Sequence, residues 1–106
     1  MPSISDLKEK QLAEGLVGRY VHGEHISFGV VTIKEGSKLP LHHHIHEQIT
    51  FIIEGKLEMV IGDETHILTS GSYYVIPSNV PHSAMAHTDC KLIDVFNPVR
   101  EDYKSE

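Results

Sequence analysis

Residues 36–55 of this 106-residue chain, GSKLPLHHHIHEQITFIIEG, contain its most informative pattern. Four of the five residues 42–46 are histidines, and they lie in the interior of the chain rather than at a terminus. Residues two apart on an extended strand point to the same face. His42 and His44 can therefore reach one ion, whereas His43 faces away and is expected in a second layer or at the surface.

Two further side chains complete a candidate ligand set. Gln48 lies an even number of positions from the two histidines and so points to the same face of an extended strand. His82, which follows a proline-rich turn, offers a fourth donor from a distant strand. Three imidazoles and an amide oxygen suit a borderline divalent metal. His46 also has ligand parity and competes with Gln48 for that place. The remaining histidines are expected to be ordinary polar residues: His22, His25, His66 and His87.

Glycine and proline punctuate the chain at short intervals, and the segments between them are rich in Val, Ile, Thr, Phe and Tyr. Such segments predict strands rather than helices. Strands joined by tight turns favour an antiparallel sandwich or barrel, since no connection is long enough for a parallel crossover. The predicted strands are Gly18 to His22, Ile26 to Lys34, Gln48 to Glu54, Lys56 to Ile61, Thr65 to Thr69, Ser72 to Ile76, Ser83 to His87 and Lys91 to Phe96.

The composition predicts one globular domain over residues 1–106, because 40% of the residues are hydrophobic and 23% are charged. The stretch Val30 to Ile33 is expected to be covered on both faces. The apolar residues of the opening segment Ser5 to Glu14 fit neither the helical nor the strand period well, although Ser5 can cap a short helix. The polar tail Arg100 to Glu106 is expected to fray. The expected apolar interior includes Phe28, Val30, Phe51, Ile53, Met59, Ile61 and Ile76.

Charge and cysteine usage narrow the functional classes. Nine Lys and Arg against fifteen Asp and Glu give a formal net charge of −6, which argues against a nucleic-acid groove. No apolar run approaches the ~18 residues of a membrane span. Residues 1–10 include acidic side chains where a signal peptide has a basic segment, and Cys90, the single cysteine, is expected to be inert. These features predict a cytoplasmic protein that binds a metal or a small molecule.

Two glycine-bounded motifs resemble the cupin signatures. In residues 36–55 a glycine, five residues, three histidines, three residues, Gln48, six residues and a glycine resemble the first motif, with Gln48 at the usual glutamate. Residues 71–86, GSYYVIPSNVPHSAMA, resemble the second motif, with Asn79 for the usual glycine and Ala86 where asparagine is often found. Fifteen residues separate the two motifs, a spacing similar to that of small single-domain cupins.

The resemblance implies an all-β jelly-roll barrel, the double-stranded β-helix of the cupins. It also implies one divalent ion, of Zn, Ni, Mn, Fe or Co, on His42, His44, Gln48 and His82. A neutral glutamine leaves the charge of the ion uncompensated, which makes the ion a stronger Lewis acid than glutamate would, and Gln48 cannot act as a base. The same resemblance implies a homodimer, which cupins form through edge strands.

A third feature is the string DVFNPVREDY, residues 94–103. Together with residues 42–48, it resembles the pectin-degradation cupins, whose reaction linearises 4,5-unsaturated uronates released by polysaccharide lyases. The resemblance implies that Asp94 moves a proton to the enol carbon, that Phe96 shapes the pocket wall, and that Arg100 pairs with the substrate carboxylate. The expected partner is therefore a small anionic sugar.

Two other functions stay open at this point. The same fold and nearly the same ligands host iron- or copper-dependent dioxygenases, which consume oxygen and depend on one redox metal. A sugar-binding cupin without turnover is favoured if Asp94 faces away from the pocket, because only a ligand cage then remains.

Overall fold

The computed structural model describes residues 2–104, most of which lie in β-strands. Ten strands follow one another in this range, and eight of them confirm the predicted strands to within two residues at each end. The sequence prediction missed β1 and β4, which are short. The strand bounds are β1 Lys10–Ala13, β2 Leu16–His22, β3 Ser27–Ile33, β4 Lys38–His42, β5 Glu47–Glu54, β6 Leu57–Ile61, β7 Glu64–Leu68, β8 Tyr73–Ile76, β9 His82–Ala86 and β10 Cys90–Asn97.

The strands form two sheets in which the paired strands are antiparallel. The larger sheet has the order β1-β2-β3-β10-β5-β8 and the smaller one the order β4-β9-β6-β7. The chain passes repeatedly from one sheet to the other, and buried apolar side chains of both inner faces form the core between them. Among these core residues are Leu16, Val31, Ile52, Leu57, Met59 and Ile76. The predicted all-β jelly-roll barrel is thereby confirmed.

The beginning of the chain resolves the segment that the sequence left open. Ile4–Asp6 form a single 3-10 turn whose capping residue is Ser3 rather than Ser5, and β1 follows. No helix of residues 2–104 is both long and apolar enough to cross a membrane.

The C-terminal tail differs from prediction, because its first residues are well packed. Arg100 is buried, and its backbone N–H donates to the hydroxyl of Ser27 on β3 at 2.8 Å. Glu101–Tyr103 form a second 3-10 turn. The expectation of fraying is therefore wrong for residues 100–104, and residues 105–106 lie outside the described range.

The predicted apolar interior is only partly correct. Three of its members are buried, namely Met59, Ile61 and Ile76. The other four lie on the outer face of the larger sheet: Phe28, Val30, Phe51 and Ile53. On β5, Gln48 and Thr50 face inward, so the period of two turns Phe51 and Ile53 outward. Thr32 is exposed, so the stretch Val30 to Ile33 is not covered on both faces either.

Candidate metal centre and its cavity

Three histidines from two segments of the chain meet at one end of the barrel. His42 ends β4 and is the cross-strand partner of His82, which begins β9. His44 lies in the loop between β4 and β5. One ring nitrogen from each of the three lies within 4.8 Å of the others. The structure thus brings together the three imidazoles that the spacing and the second motif had singled out.

Backbone carbonyls orient all three rings. Each Nδ1 is within hydrogen-bond distance of a carbonyl two residues away, and a neutral imidazole has a single N–H to donate. With that N–H committed at Nδ1, the lone pair is left on Nε2, the atom available to a metal. The three bonds join His42 to Pro40 at 2.8 Å, His82 to Val80 at 2.9 Å, and His44 to His46 at 3.0 Å.

The amide of Gln48 is also held in one orientation. Its Nε2 donates to the hydroxyl of Thr50 at 2.9 Å and to Oδ1 of Asp94 at 3.1 Å. Its Oε1 is thereby turned toward Nε2 of His44, 3.0 Å away. Two hydrogen-bond acceptors face each other there, a conflict that a cation between them resolves. Two ligand atoms that bind the same metal ion, each through a bond of about 2.0–2.3 Å, can lie this close together.

Burial keeps two of the imidazoles neutral. Desolvation lowers the pKa of His82 to about 4, and Nε2 of His82 is buried with no hydrogen-bond partner among the described residues. Desolvation, followed by the charge of Arg100, lowers the pKa of His44. Neutral imidazole is the form that binds metals. The residues present therefore fit a borderline divalent ion with three nitrogen donors and one amide oxygen.

The competing histidine takes no part in this cluster. His46 is buried and its ring lies 5.3 Å from that of His44, but it is outside the group of converging ring nitrogens. His43 is exposed. The geometry favours Gln48 over His46 as the fourth donor, and the ligand set His42, His44, Gln48 and His82 stays a prediction.

The histidine cluster opens into a cavity that runs down the inside of the barrel. Its lining residues include Gln48, His82, Asp94, Phe96 and Arg100. Three of the four candidate ligands, His42, Gln48 and His82, thus share one cavity with the candidate substrate-binding residues.

Asp94 projects into this cavity from β10. Its Oδ1 accepts hydrogen bonds from Thr50 at 2.7 Å and from Gln48 at 3.1 Å. Desolvation by burial raises the pKa of Asp94 to about 6, although the two hydrogen bonds and the charge of Arg100 act in the opposite direction. Among these effects on the pKa of Asp94, burial is the largest.

Arg100 is held by a carboxylate along one edge and by two aromatic rings. Its Nε and one terminal nitrogen donate to Asp102 at 3.1 and 2.8 Å. Its guanidinium carbon lies 3.8 Å from the ring centroid of Tyr103 and 4.8 Å from that of Phe96, distances at which cation–π attraction is strong. The ring of Phe96 in turn meets that of His44 edge-on. Phe96 thus joins the arginine side of the cavity to the histidine cluster.

The sequence analysis missed two polar residues that line the cavity. Thr50 holds both Gln48 and Asp94, and its parity with Gln48 on β5 was a signal that it faces inward. Tyr20, on β2, carries a buried hydroxyl. Its signal was weaker, an aromatic residue between two glycines, Gly18 on its own strand and Gly29 on the neighbouring one.

An antiparallel two-sheet barrel with a histidine cluster at one end is the architecture of a cupin. The chain belongs to the Cupin domain family, Cupin_2, which matches residues 29–96. That range contains every candidate metal ligand as well as Asp94 and Phe96, whereas Arg100 lies beyond it.

Among curated proteins, the chain is similar to the pectin degradation protein KdgF of Dickeya dadantii (strain 3937). The two are 37% identical over 65 residues, which cover 60% of this chain and 59% of that protein. The L-ectoine synthase of Vibrio campbellii (strain ATCC BAA-1116) is 32% identical over 75 residues, 68% of this chain and 59% of that protein. The quercetin 2,3-dioxygenase of Bacillus subtilis (strain 168) is 43% identical over 51 residues, 46% and 15% of the two chains. The chain thus spans less than two thirds of the length of these relatives.

Solved structures resemble the chain over nearly its whole length. KdgF from Halomonas sp. superposes with a TM-score of 0.87 and 25% identity, covering 94% of each chain. An RmlC-like cupin from Shewanella frigidimarina NCIMB 400 has a TM-score of 0.88 and 25% identity, covering 94% of this chain and 91% of the other.

Proposed function

We propose that this chain is a metal-dependent cupin enzyme that converts cyclic 4,5-unsaturated uronates into their open-chain keto forms. In this proposal one divalent ion is held by His42, His44, Gln48 and His82. The substrate side of the cavity is formed by Asp94, Phe96 and Arg100.

The observation that carries the proposal is the convergence of two kinds of group on one cavity. Three of the candidate metal ligands, His42, Gln48 and His82, line it, and so do Asp94 and Arg100. A ligand cage without catalytic function needs no carboxyl group beside it. The inward position of Asp94 therefore favours turnover over simple binding.

The proposed reaction is an isomerisation, so nothing is gained or lost overall. The bond between the hemiacetal carbon and the ring oxygen breaks, and the hemiacetal hydroxyl gives up its proton and becomes an aldehyde. The enol left behind takes a proton on carbon and becomes a ketone. A bound divalent ion supplies Lewis-acid polarisation of a substrate oxygen.

Asp94 is suited to deliver the proton to carbon. Thr50 and Gln48 engage Oδ1, which leaves Oδ2 to carry the proton. A carboxyl group whose pKa has been raised to about 6 exchanges protons readily near neutral pH. Holding Oδ1 in place also keeps Oδ2 at a constant position in the cavity.

Arg100 and Phe96 suit an anionic sugar. The guanidinium offers positive charge for the substrate carboxylate through the terminal nitrogen that lies outside its pair with Asp102. The Phe96 ring forms apolar wall between this charge and the histidine cluster. The likeness to KdgF, a pectin degradation protein by its name, supports a uronate as the substrate class.

The test is to offer the purified chain, free of a histidine tag, an unsaturated uronate freshly made by a polysaccharide lyase. We expect the ultraviolet absorbance of the conjugated double bond to fall faster than in the uncatalysed control. We also expect the rate to drop to that control after chelation and to return with more than one divalent metal. A rate equal to the uncatalysed control in the metal-loaded protein would remove the proposal.

The second candidate is an oxygen-consuming dioxygenase, which the likeness to quercetin 2,3-dioxygenase favours. It predicts activity with one redox metal only and a loss of dissolved oxygen that matches product formation. The uronate reaction proceeds equally well without oxygen. An oxygen electrode in the same assay therefore separates the two.

A further inference from the structure

One buried polar group of the cavity has no role in the function proposed above. The hydroxyl of Tyr20 is buried and makes no hydrogen bond within residues 2–104, and the whole residue is only 8% exposed. Burying a hydroxyl without a partner is unfavourable. Such a group in a ligand cavity indicates a partner that arrives with the ligand.

Two glycines hold the Tyr20 ring in place. It lies across the inner face of the sheet over Gly18 and Gly29, and a β-carbon at Gly18 would come within 2.7 Å of the ring. A β-carbon at Gly29 would overlap the ring more severely. The sheet thus keeps both positions free of side chains, and the ring fills the space that they leave.

The surroundings of Tyr20 select an anionic partner. Its ring centroid lies 4.8 Å from that of Tyr103, which in turn packs against the guanidinium of Arg100. Asp94 and Arg100 line the same cavity as Tyr20. Burial and the charge of Asp94 raise the pKa of Tyr20 well above its usual range, so the phenol keeps its proton as a donor.

We infer that Tyr20 is a substrate-positioning residue whose hydroxyl donates a hydrogen bond to the carboxylate of an anionic sugar, beside Arg100. The inference rests on the proposed function for its substrate class. It assigns to Tyr20 a part in binding rather than in proton transfer.

The test is Tyr20→Phe, with Tyr74→Phe as the matched control. Tyr74 lies outside the cavity, where its hydroxyl donates to Glu64 at 3.4 Å. Calorimetry with galacturonate, which has no double bond to react, measures binding without turnover, and neutral galactose lacks the carboxylate.

For Tyr20→Phe we expect the Kd for galacturonate to rise by about 10- to 100-fold, the effect of losing one hydrogen bond to a charged oxygen. The small affinity for galactose should not change. KM for the unsaturated uronate should rise with kcat within about threefold. The thermal midpoint should stay equal to that of the wild type or increase, because an unsatisfied hydroxyl has been removed.

Wild-type affinity for galacturonate in Tyr20→Phe overturns the inference and leaves the proposed function intact. A fall in the thermal midpoint with unchanged affinity also overturns it, since it indicates a structural role. Failure of the wild type to open the unsaturated uronate removes the proposed function, whereas galacturonate binding still tests Tyr20. A wild type that binds no uronate at all removes both.

Discussion

Near the histidine cluster, the two faces of β5 reverse the usual distribution of polar and apolar residues, although most of the inner face of the larger sheet is apolar. On β5, Gln48 and Thr50 point inward, whereas Ile49 and Phe51 point outward and are about 40% exposed. Apolar residues usually fill the interior and polar residues meet water. At this end of the sheet the inner face therefore holds a polar site, and the outer face exposes apolar side chains to water.

The inner polar residues tolerate burial because they satisfy one another. Thr50, Gln48 and Asp94 form a closed set of three hydrogen bonds of 2.7 to 3.1 Å. Each buried polar group thereby avoids the cost of an unmade hydrogen bond. The outer residues have no comparable arrangement within the chain. A substitution inside should therefore change function, and its neighbour outside should not.

The largest expected effect is at the histidine cluster. His82→Ala removes a buried imidazole, so tag-free protein should contain less than about 0.1 ion per chain, and turnover should fall by about 10³-fold. Ser83→Ala, the next residue along β9, is the outward-facing control and should keep both. Elemental analysis and the absorbance assay give the two quantities. Full metal content in His82→Ala would show that this cage is wrong.

The next effect is at Asp94. Asp94→Asn keeps an acceptor for Thr50 and Gln48 but cannot exchange a proton, so kcat should fall by roughly 10²-fold with metal content unchanged. Val95→Thr changes the neighbouring outward residue and should leave kcat alone. Unimpaired turnover in Asp94→Asn would eliminate the proposed proton donor.

A smaller effect is expected at Thr50, the next inward-facing residue on β5 after the candidate ligand Gln48. Thr50→Val removes the hydroxyl that holds Asp94 and Gln48, and it should lower kcat/KM by about 10-fold, as removal of supporting hydrogen bonds around a metal site does. The adjacent exchange Ile49→Thr makes the outer face more polar and should not alter kcat/KM. Equal effects of the two substitutions would contradict the division between the faces.

The smallest effect concerns the ion pair that joins the inside of the barrel to the outside. Hydrogen bonds from Arg100 lower the pKa of Asp102 below its ordinary value. The unfolded state then takes up the proton more readily than the folded one. The pair's contribution to stability is therefore complete above the ordinary pKa of a carboxyl group and is lost as the pH falls through the lowered one.

The variant Asp102→Asn measures this contribution. The Asp102 side chain is 57% exposed, so the loss at neutral pH should be small, about 0.5 kcal/mol or less. The difference in thermal midpoint between wild type and Asp102→Asn should be present at about pH 7 and should shrink as the pH falls below the ordinary pKa of a carboxyl group. A difference that persists in acid would mean that the ion pair is not its source.

The sequence predicted most of this barrel because its information was local. Turn residues and β-rich segments placed eight strands, and motif spacing placed His42, His44 and His82 on one cluster. The short strand β4 was missed because Pro40 interrupts it, and β1 because its segment showed no clear period. Strand parity also put Gln48 on the face of the two histidines, whereas the sequence left open whether Asp94 faces the pocket.

The misplaced residues share one cause, the assumption that apolar means inside. Along β5 both parities contain apolar residues, so hydrophobicity did not determine which face was buried. The inward direction of Gln48 determines it instead. Alternation along the strand from Gln48 places Thr50 inside and Phe51 outside, which would have corrected the predictions for both residues. The packing of Tyr20 over two glycines and of Arg100 beneath Tyr103 depends on contacts between distant segments. Such contacts cannot be derived from spacing.

The pair of tyrosines beside Arg100 has an optical consequence. The chain contains four tyrosines and no tryptophan, so its intrinsic fluorescence arises from tyrosine alone. Tyr20 and Tyr103 line the cavity with their rings 4.8 Å apart. Any molecule that enters changes the polarity and the hydrogen bonding around half of the protein's emitters. The barrel therefore carries a built-in reporter of its own occupancy, and its emission can be followed without an attached dye.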